Sequence, residues 1–248
     1  MANNNLRLVF TFDDGLITQR RFWNEVQRPA TYFILPEATE AKSRFGKQFV
    51  SGTCKWNEVR GLAQNGEIGY HGFSTTYNKF GAEKTIERTN FGLDLISVNT
   101  GIKPVSFAYT NMVPAQLGVI SKMFPYIRDY FWKELKKGEK EQYAFRVDEK
   151  DVPEKMREYR KKIFCVHLGR DPLNQLKRLT KIKNDGYEYC VIILHELDDE
   201  LIYVSKIISN AYDCITFREI FEGRSVGNTV DKTTNTGSTP VVSPEKKK

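Results

Sequence analysis

No run of eighteen consecutive apolar residues occurs among the 248 residues of this chain, so no segment has the composition of a membrane-crossing helix. Cysteine is sparse. Cys54, Cys165, Cys190 and Cys214 show no Cys-x-x-Cys spacing, which argues against a cysteine zinc cluster. Three of the four lie in or beside apolar, strand-like runs, where buried free thiols and a reducing compartment are expected. No charged-then-apolar leader precedes the first strand, and this sets the expectation of a cytoplasmic protein. No internal repeat is present, and no module with interleaved basic and aromatic residues calls for a nucleic-acid partner. Low complexity is confined to residues 225–248, rich in Gly, Ser, Thr, Asn, Pro and Lys, which are expected to form a disordered tail. Histidine is rare as well, with three in the whole chain.

What is present suits one domain of barrel size. The chain is 40% hydrophobic, enough for a substantial core. Net charge is +7, from 38 basic and 31 acidic residues of mixed placement. Basic clusters at Arg157, Arg160, Lys161 and Lys162, and at Lys177, Arg178, Lys181 and Lys183, read first as solvated helix faces. An attraction to anionic glycans or phosphate-bearing substrates is the second reading.

Short apolar runs alternate with helical patterns. Strands are predicted at 6–12, 30–35, 67–71, 104–109, 125–129, 163–168, 189–195 and 213–216. Helices are predicted at 17–27, 55–65, 82–99, 114–123, 171–184 and 198–210. The helix at 171–184 opens with an Asp171-Pro172 cap and first-turn proline. It sets Leu173, Leu176, Leu179 and Ile182 on one stripe. Strand–helix alternation implies an α/β fold with a parallel sheet and crossover helices. Residues 134–160 are charged and poorly patterned, an insertion or a long solvated segment. Residues 1–224 are taken as the folded domain.

The most informative stretch is Thr11-Phe12-Asp13-Asp14-Gly15, at the end of the apolar run Leu6–Phe10. A buried strand stops at two adjacent carboxylates, then a glycine frees the backbone to turn. Strand alternation points Asp13 and Asp14 in different directions, so that one is available to hold a metal and the other to handle a proton. Carboxylates packed this close repel, and they require a cation or hydrogen-bond donors nearby.

The order of this motif, Pro29–Ile34, Trp56–Arg60, Gly66–His71, Phe107-Ala108-Tyr109 and Ile192-Ile193-Leu194-His195 resembles the polysaccharide deacetylase (NodB-homology) family, carbohydrate esterase family four. The resemblance covers roughly residues 6–222. It implies a distorted (β/α) barrel of about seven strands, and in parallel barrels the active site lies at the C-terminal ends of the strands. Asp13, Asp14, His71, Asn111, His167 and His195 all fall at or just after such ends. All three histidines of the chain are among them.

By this resemblance Asp14 and His71 are metal ligands, Asp13 is the general base, and a backbone N–H at Asn111 faces the oxyanion. His195 is the acid that protonates the departing amine. The cofactor is a divalent metal, most plausibly zinc, which lowers the pKa of a bound water and polarises an acetyl carbonyl. The implied reaction is removal of an N-acetyl group from an N-acetylated sugar, in a polysaccharide, a lipopolysaccharide or their precursor.

Two departures from the family pattern stand out. Where the family has His-x-x-x-His, this chain has His71-Gly72-Phe73-Ser74-Thr75, so Thr75 takes the place of the second imidazole ligand. That weakens metal affinity or shifts preference toward a harder, oxygen-loving ion. The arginine that orients the base aspartate is missing from Phe107–Met112, and Arg128 near the end of the next strand is the candidate to replace it. Two other readings stay open: a degenerate, non-catalytic saccharide-binding relative, and a hydrolase of another non-peptide C–N bond.

Overall fold

The computed structural model describes residues 6–40, 52–72, 80–109, 118–128, 130–133, 142–145, 152–159 and 161–223. All eight predicted strands form. They are β1 (Arg7–Phe12), β2 (Ala30–Ile34), β3 (Glu67–Tyr70), β4 (Ser106–Ala108), β5 (Tyr126–Arg128), β8 (Ile163–His167), β9 (Tyr189–Leu194) and β10 (Asp213–Cys214). Between β5 and β8 lies an antiparallel pair, β6 (Tyr130–Lys133) and β7 (Gln142–Phe145). The charged stretch from 134 therefore contains one strand of a hairpin, which its poor patterning concealed.

Seven strands pair in the order β5-β4-β3-β2-β1-β9-β8, and every pairing in this row is parallel. β10 adds beside the start of β1, with Arg7 opposite Asp213, while β2 takes over from Phe10 onward. β1 thus changes neighbours partway along its length. The sheet is strongly curled. β5 and β1 are four strand spacings apart along the row, about 19 Å in a flat sheet. Yet Arg128 at the end of β5 donates from Nη1 to Thr11 Oγ1 of β1 at 2.7 Å. With helices flanking it, the sheet is a distorted (β/α) barrel.

Helices flank the sheet as α1 (Pro36–Glu40), α2 (Trp56–Ala63), α3 (Ala82–Thr100), α4 (Glu154–Arg157), α5 (Pro172–Asn184), α6 (Asp199–Ala211) and α7 (Glu219–Glu222). Within the predicted helix 114–123, residues 118–120 are helical among those described. The helix predicted at 17–27 is replaced by a 3-10 turn, Ile17–Gln19, and a π-helical turn, Phe22–Val26. The latter ends at Gln27 with a left-handed φ of 55°. Phe22 packs from this segment onto Phe10 and Phe12, with ring centroids 4.7 and 5.0 Å apart. Even-numbered residues of β1 therefore face these turns. Odd-numbered ones, Thr11 among them, face the barrel interior.

In α5 the cap forms as predicted, with the Asp171 carboxylate accepting from Leu173 N at 2.9 Å and Asn174 N at 3.2 Å. The leucine stripe is corrected. Leu179 and Ile182 are buried, but Leu173 is 67% exposed and Gln175 is buried instead. A repeat of three residues drifts about 60° per step around a helix of 3.6 residues per turn. Leu173 therefore ends on the face opposite Ile182. All four cysteines are buried free thiols. No described helix is long and apolar enough to cross a membrane.

Candidate active site at the C-terminal ends of the strands

β1 ends at Phe12, and its last rung to β9 is Asp13 N donating to Leu194 O at 3.0 Å. Asp14 and Gly15 then both adopt left-handed backbone, with φ of 70° and 66°. Asparate is among the few non-glycine residues that tolerate this region, and it does so at a cost that clusters at functional sites. The turn changes the expected geometry. Strand alternation would send the two carboxylates apart. The left-handed residue brings Asp14 round so that both face His71. His71 Nε2 lies 3.8 Å from Asp13 Oδ2 and 3.7 Å from Asp14 Oδ1. All three side chains are almost fully buried.

His71 follows β3, where its backbone N–H donates to Ile34 O at 2.8 Å. Its Nδ1 lies 2.9 Å from the Ala108 carbonyl at the end of β4. A carbonyl only accepts, so Nδ1 carries a hydrogen, and Nε2 is the nitrogen turned toward the carboxylates. This is the second-contact arrangement that orients a metal-binding imidazole.

Arg128 holds Asp13 from across the barrel. Its Nη2 donates to Asp13 Oδ2 at 2.6 Å, and its Nη1 donates to Thr11 Oγ1. Its guanidinium carbon sits 4.8 Å from the centre of the Phe33 ring, which supports it from below. Phe33 in turn fits against Gly69, where a Cβ would come within 2.5 Å of the ring. Burial alone would raise the Asp13 carboxyl. The Arg128 guanidinium, with His71 and His195, outweighs it and holds Asp13 well below the usual carboxylate range. Asp14 moves the other way. Burial raises it, and the adjacent Asp13 charge adds to the rise, against an opposing contribution from His71. The two neighbouring carboxyls are thus shifted in opposite directions, Asp13 downward and Asp14 upward.

Asp13 Oδ1 is buried and has no hydrogen-bond partner among the described residues. His195, just past β9, is 47% exposed, and its Nε2 lies 3.9 Å from Asp13 Oδ2. His167 ends β8, exposed, with its ring nearly parallel to that of His195 and centroids 6.4 Å apart. Asp13, Asp14, His71 and His195 therefore meet at one end of the sheet, with His167 at the rim. Thr75 and Asn111 lie outside the described residues.

The donors available to a divalent cation are Asp14 Oδ1 and His71 Nε2. Ligand bonds of about 2.1 Å let one ion bridge atoms up to about 4.2 Å apart, so their 3.7 Å separation fits. Asp13 is committed to Arg128. Among the described residues no group of three or more His, Cys, Asp and Glu side chains is gathered around a common point as a metal site.

Gln19 is a site residue that the sequence reading missed. It lies in the turn after Gly15, fully buried, and its amide reaches Asp13 and His195 by their backbone carbonyls. Nothing in residue type or spacing marks it out, because its role depends on where the turn folds.

No protein-family model and no curated protein sequence matches the chain. Solved structures do. A mutant of peptidoglycan deacetylase PdaC from Bacillus subtilis is 14% identical with a TM-score of 0.50, covering 90% of this chain and 93% of that one. A family 4 acetyl xylan esterase from Clostridium thermocellum, in complex with a cobalt ion, is 15% identical with a TM-score of 0.51, covering 87% and 91%. A mutant of a CE4 family pseudoenzyme is 12% identical with a TM-score of 0.52, covering 88% and 68%. Strand order, curl and these near full-length matches give the chain the fold of the family 4 carbohydrate esterases, the polysaccharide deacetylases.

Proposed function

We propose that this protein is a metal-dependent hydrolase that removes the N-acetyl group from an N-acetylated saccharide. The observation that carries the reading is the convergence of Asp13 and Asp14 on Nε2 of a single oriented imidazole, His71. Asp14 and His71 would hold the divalent ion, with zinc the first candidate. When bound, the ion supplies an acidified water and polarises the acetyl carbonyl.

The chain's own residues account for the rest. Arg128 keeps Asp13 ionised and fixes its Oδ2, which leaves the unpartnered Oδ1 to accept the proton of an attacking water. His195 is exposed and within 4 Å of Asp13, so it is placed to protonate the departing amine. An amine expelled without a proton is a very poor leaving group, and the reaction requires such an acid.

The test is acetate release from N-acetylated oligosaccharides with zinc, cobalt or manganese supplied. Turnover that a chelator abolishes and the metal restores is expected. Full activity of the metal-free protein would overturn the reading.

A second reading has its own support. Among the described residues no group of three or more His, Cys, Asp and Glu side chains forms a metal site, and a pseudoenzyme shares the fold. On this reading the protein binds a saccharide without cleaving it. Retained saccharide binding, with no bound divalent ion and no turnover under any metal, would favour it.

A further inference from the structure

We infer that Gln19 is a positioning residue that sets the distance between the proposed base and acid. The β1–β9 ladder ends at the Asp13 N–H, and beyond it the carbonyls of Asp13 and His195 have no rung to join. Gln19 Nε2 carries two hydrogens and spends one on each. It lies 2.5 Å from Asp13 O and 3.2 Å from His195 O. One planar amide therefore couples the backbone beneath the two groups that handle protons.

The orientation of that amide is fixed by chemistry. Reversing it would set an acceptor oxygen against two carbonyls. In the observed orientation Gln19 Oε1 is buried with no hydrogen-bond partner among the described residues, although the side chain is wholly enclosed. A residue kept only for stability has no reason to strand an acceptor in the interior.

The adjacent residue works on the same loop. Thr18 Oγ1 accepts from Leu197 N at 3.2 Å. Arg21, one turn later, donates from Nη2 to Asp199 Oδ1 at 2.8 Å, at the start of α6. The 3-10 turn Ile17–Gln19, with Arg21 after it, is thus a clip between the loop carrying Asp13 and Asp14 and the loop carrying His195.

The kinetic consequence rests on the deacetylase reading; the structural one does not. Gln19→Leu keeps the volume and removes both donors. With an N-acetylated oligosaccharide substrate it should lower kcat about 10- to 100-fold and leave KM within about twofold, since misplacement of a reacting group by about 1 Å costs rates of that order. Gln19→Asn, one methylene shorter, should not restore kcat.

A second readout needs no turnover. The chain has three histidines, so imidazole NMR gives three assignable spin systems. In Gln19→Leu the His195 signals should shift or broaden while those of His71 stay in place. Thr18→Val, at a half-buried position, should move the same His195 signals by less, and it serves if Gln19→Leu does not fold. Folded variants with unmoved His195 signals would overturn the inference, as would an unchanged kcat in an active protein. His195 signals that move in a protein with no turnover would uphold the clip while the deacetylase reading failed.

Discussion

Arg128 Nη2 lies 2.6 Å from Asp13 Oδ2, although 115 positions of sequence and four strand spacings separate the two residues. Both side chains are nearly inaccessible to solvent. The pair does two things at once. It draws β5 against the end of β1, and it lowers the pKa of a carboxylate that burial alone would raise.

Breaking the pair from the arginine side should cost both stability and activity. Arg128→Met leaves Asp13 as an uncompensated buried charge, a change worth about 3–5 kcal/mol. For a chain of this size each 1 kcal/mol moves Tm by about 2–4 °C, so a fall of about 6 °C or more is expected in thermal melts. Arg128→Lys retains the charge but not the fork that reaches Asp13 and Thr11 together, and should recover only part of the loss. Melting temperatures equal to that of the parent would show that the ion pair contributes no net stability.

Asp13→Asn separates the proton-handling role from the architecture. The amide oxygen can still accept from Arg128, so the fold and the Asp14–His71 pair should persist. Acetate release should fall by three orders of magnitude or more, to about the level expected when a general base is lost from a preorganised site. Divalent ion content, measured by elemental analysis, should stay near that of the parent. A variant that still turns over would assign the base elsewhere.

The support beneath Arg128 can be removed without touching any polar group. A Cβ at Gly69 would meet the Phe33 ring at 2.5 Å and Ser106 Oγ at 2.9 Å. The ring is rigid and closely packed, so Gly69→Ala should push Phe33 upward into the Arg128 guanidinium 4.8 Å away. Acetate release is expected to drop about tenfold or more, through Asp13. Gly69→Ala combined with Phe33→Leu, which vacates the contested space, should regain part of the activity. If the single variant is as active as the parent, the packing path from Gly69 to Asp13 carries no positional control.

Much of this arrangement was legible in the sequence, for physical reasons that differ from residue to residue. Buried parallel strands read as continuous apolar runs, so β1 and β9 and the polar residues that end them could be placed directly. Asp13, Asp14 and His195 follow from that placement, and His71 from the predicted strand 67–71 that it ends. The left-handed turn at Asp14 could not be read, because it overrides the two-residue alternation on which the prediction of diverging carboxylates rested. Gln19 was hidden for a similar reason. One helix was predicted at 17–27, while the chain uses a 3-10 turn that aims a glutamine inward. The β6–β7 hairpin was hidden by charge. Arg128 was nameable as a candidate, but its contact with Asp13 depends on the curl of the whole sheet.

The far end of the barrel offers a test of pH dependence away from the proposed chemistry. Glu67 begins β3, and its carboxyl group is enclosed, although the residue as a whole is only partly covered. It accepts from Thr31 Oγ1 at 2.8 Å, Ser106 Oγ at 2.5 Å and the Arg218 backbone N–H at 2.9 Å. Burial raises its pKa despite these bonds. The folded state therefore binds this proton more tightly than the unfolded chain. The resulting stability is fully present below the unfolded-state pKa of about 4.3 and is lost as pH rises through the folded-state value. Glu67→Gln keeps an oxygen for Thr31 and Arg218 and offers an N–H to Ser106, with no charge to bury. Relative to the parent, the variant should gain stability as pH rises above about 4, levelling off once the folded-state value is passed, in denaturant titrations. A difference in stability that stays constant across that range would show that Glu67 is ionised equally readily in the folded and unfolded chains.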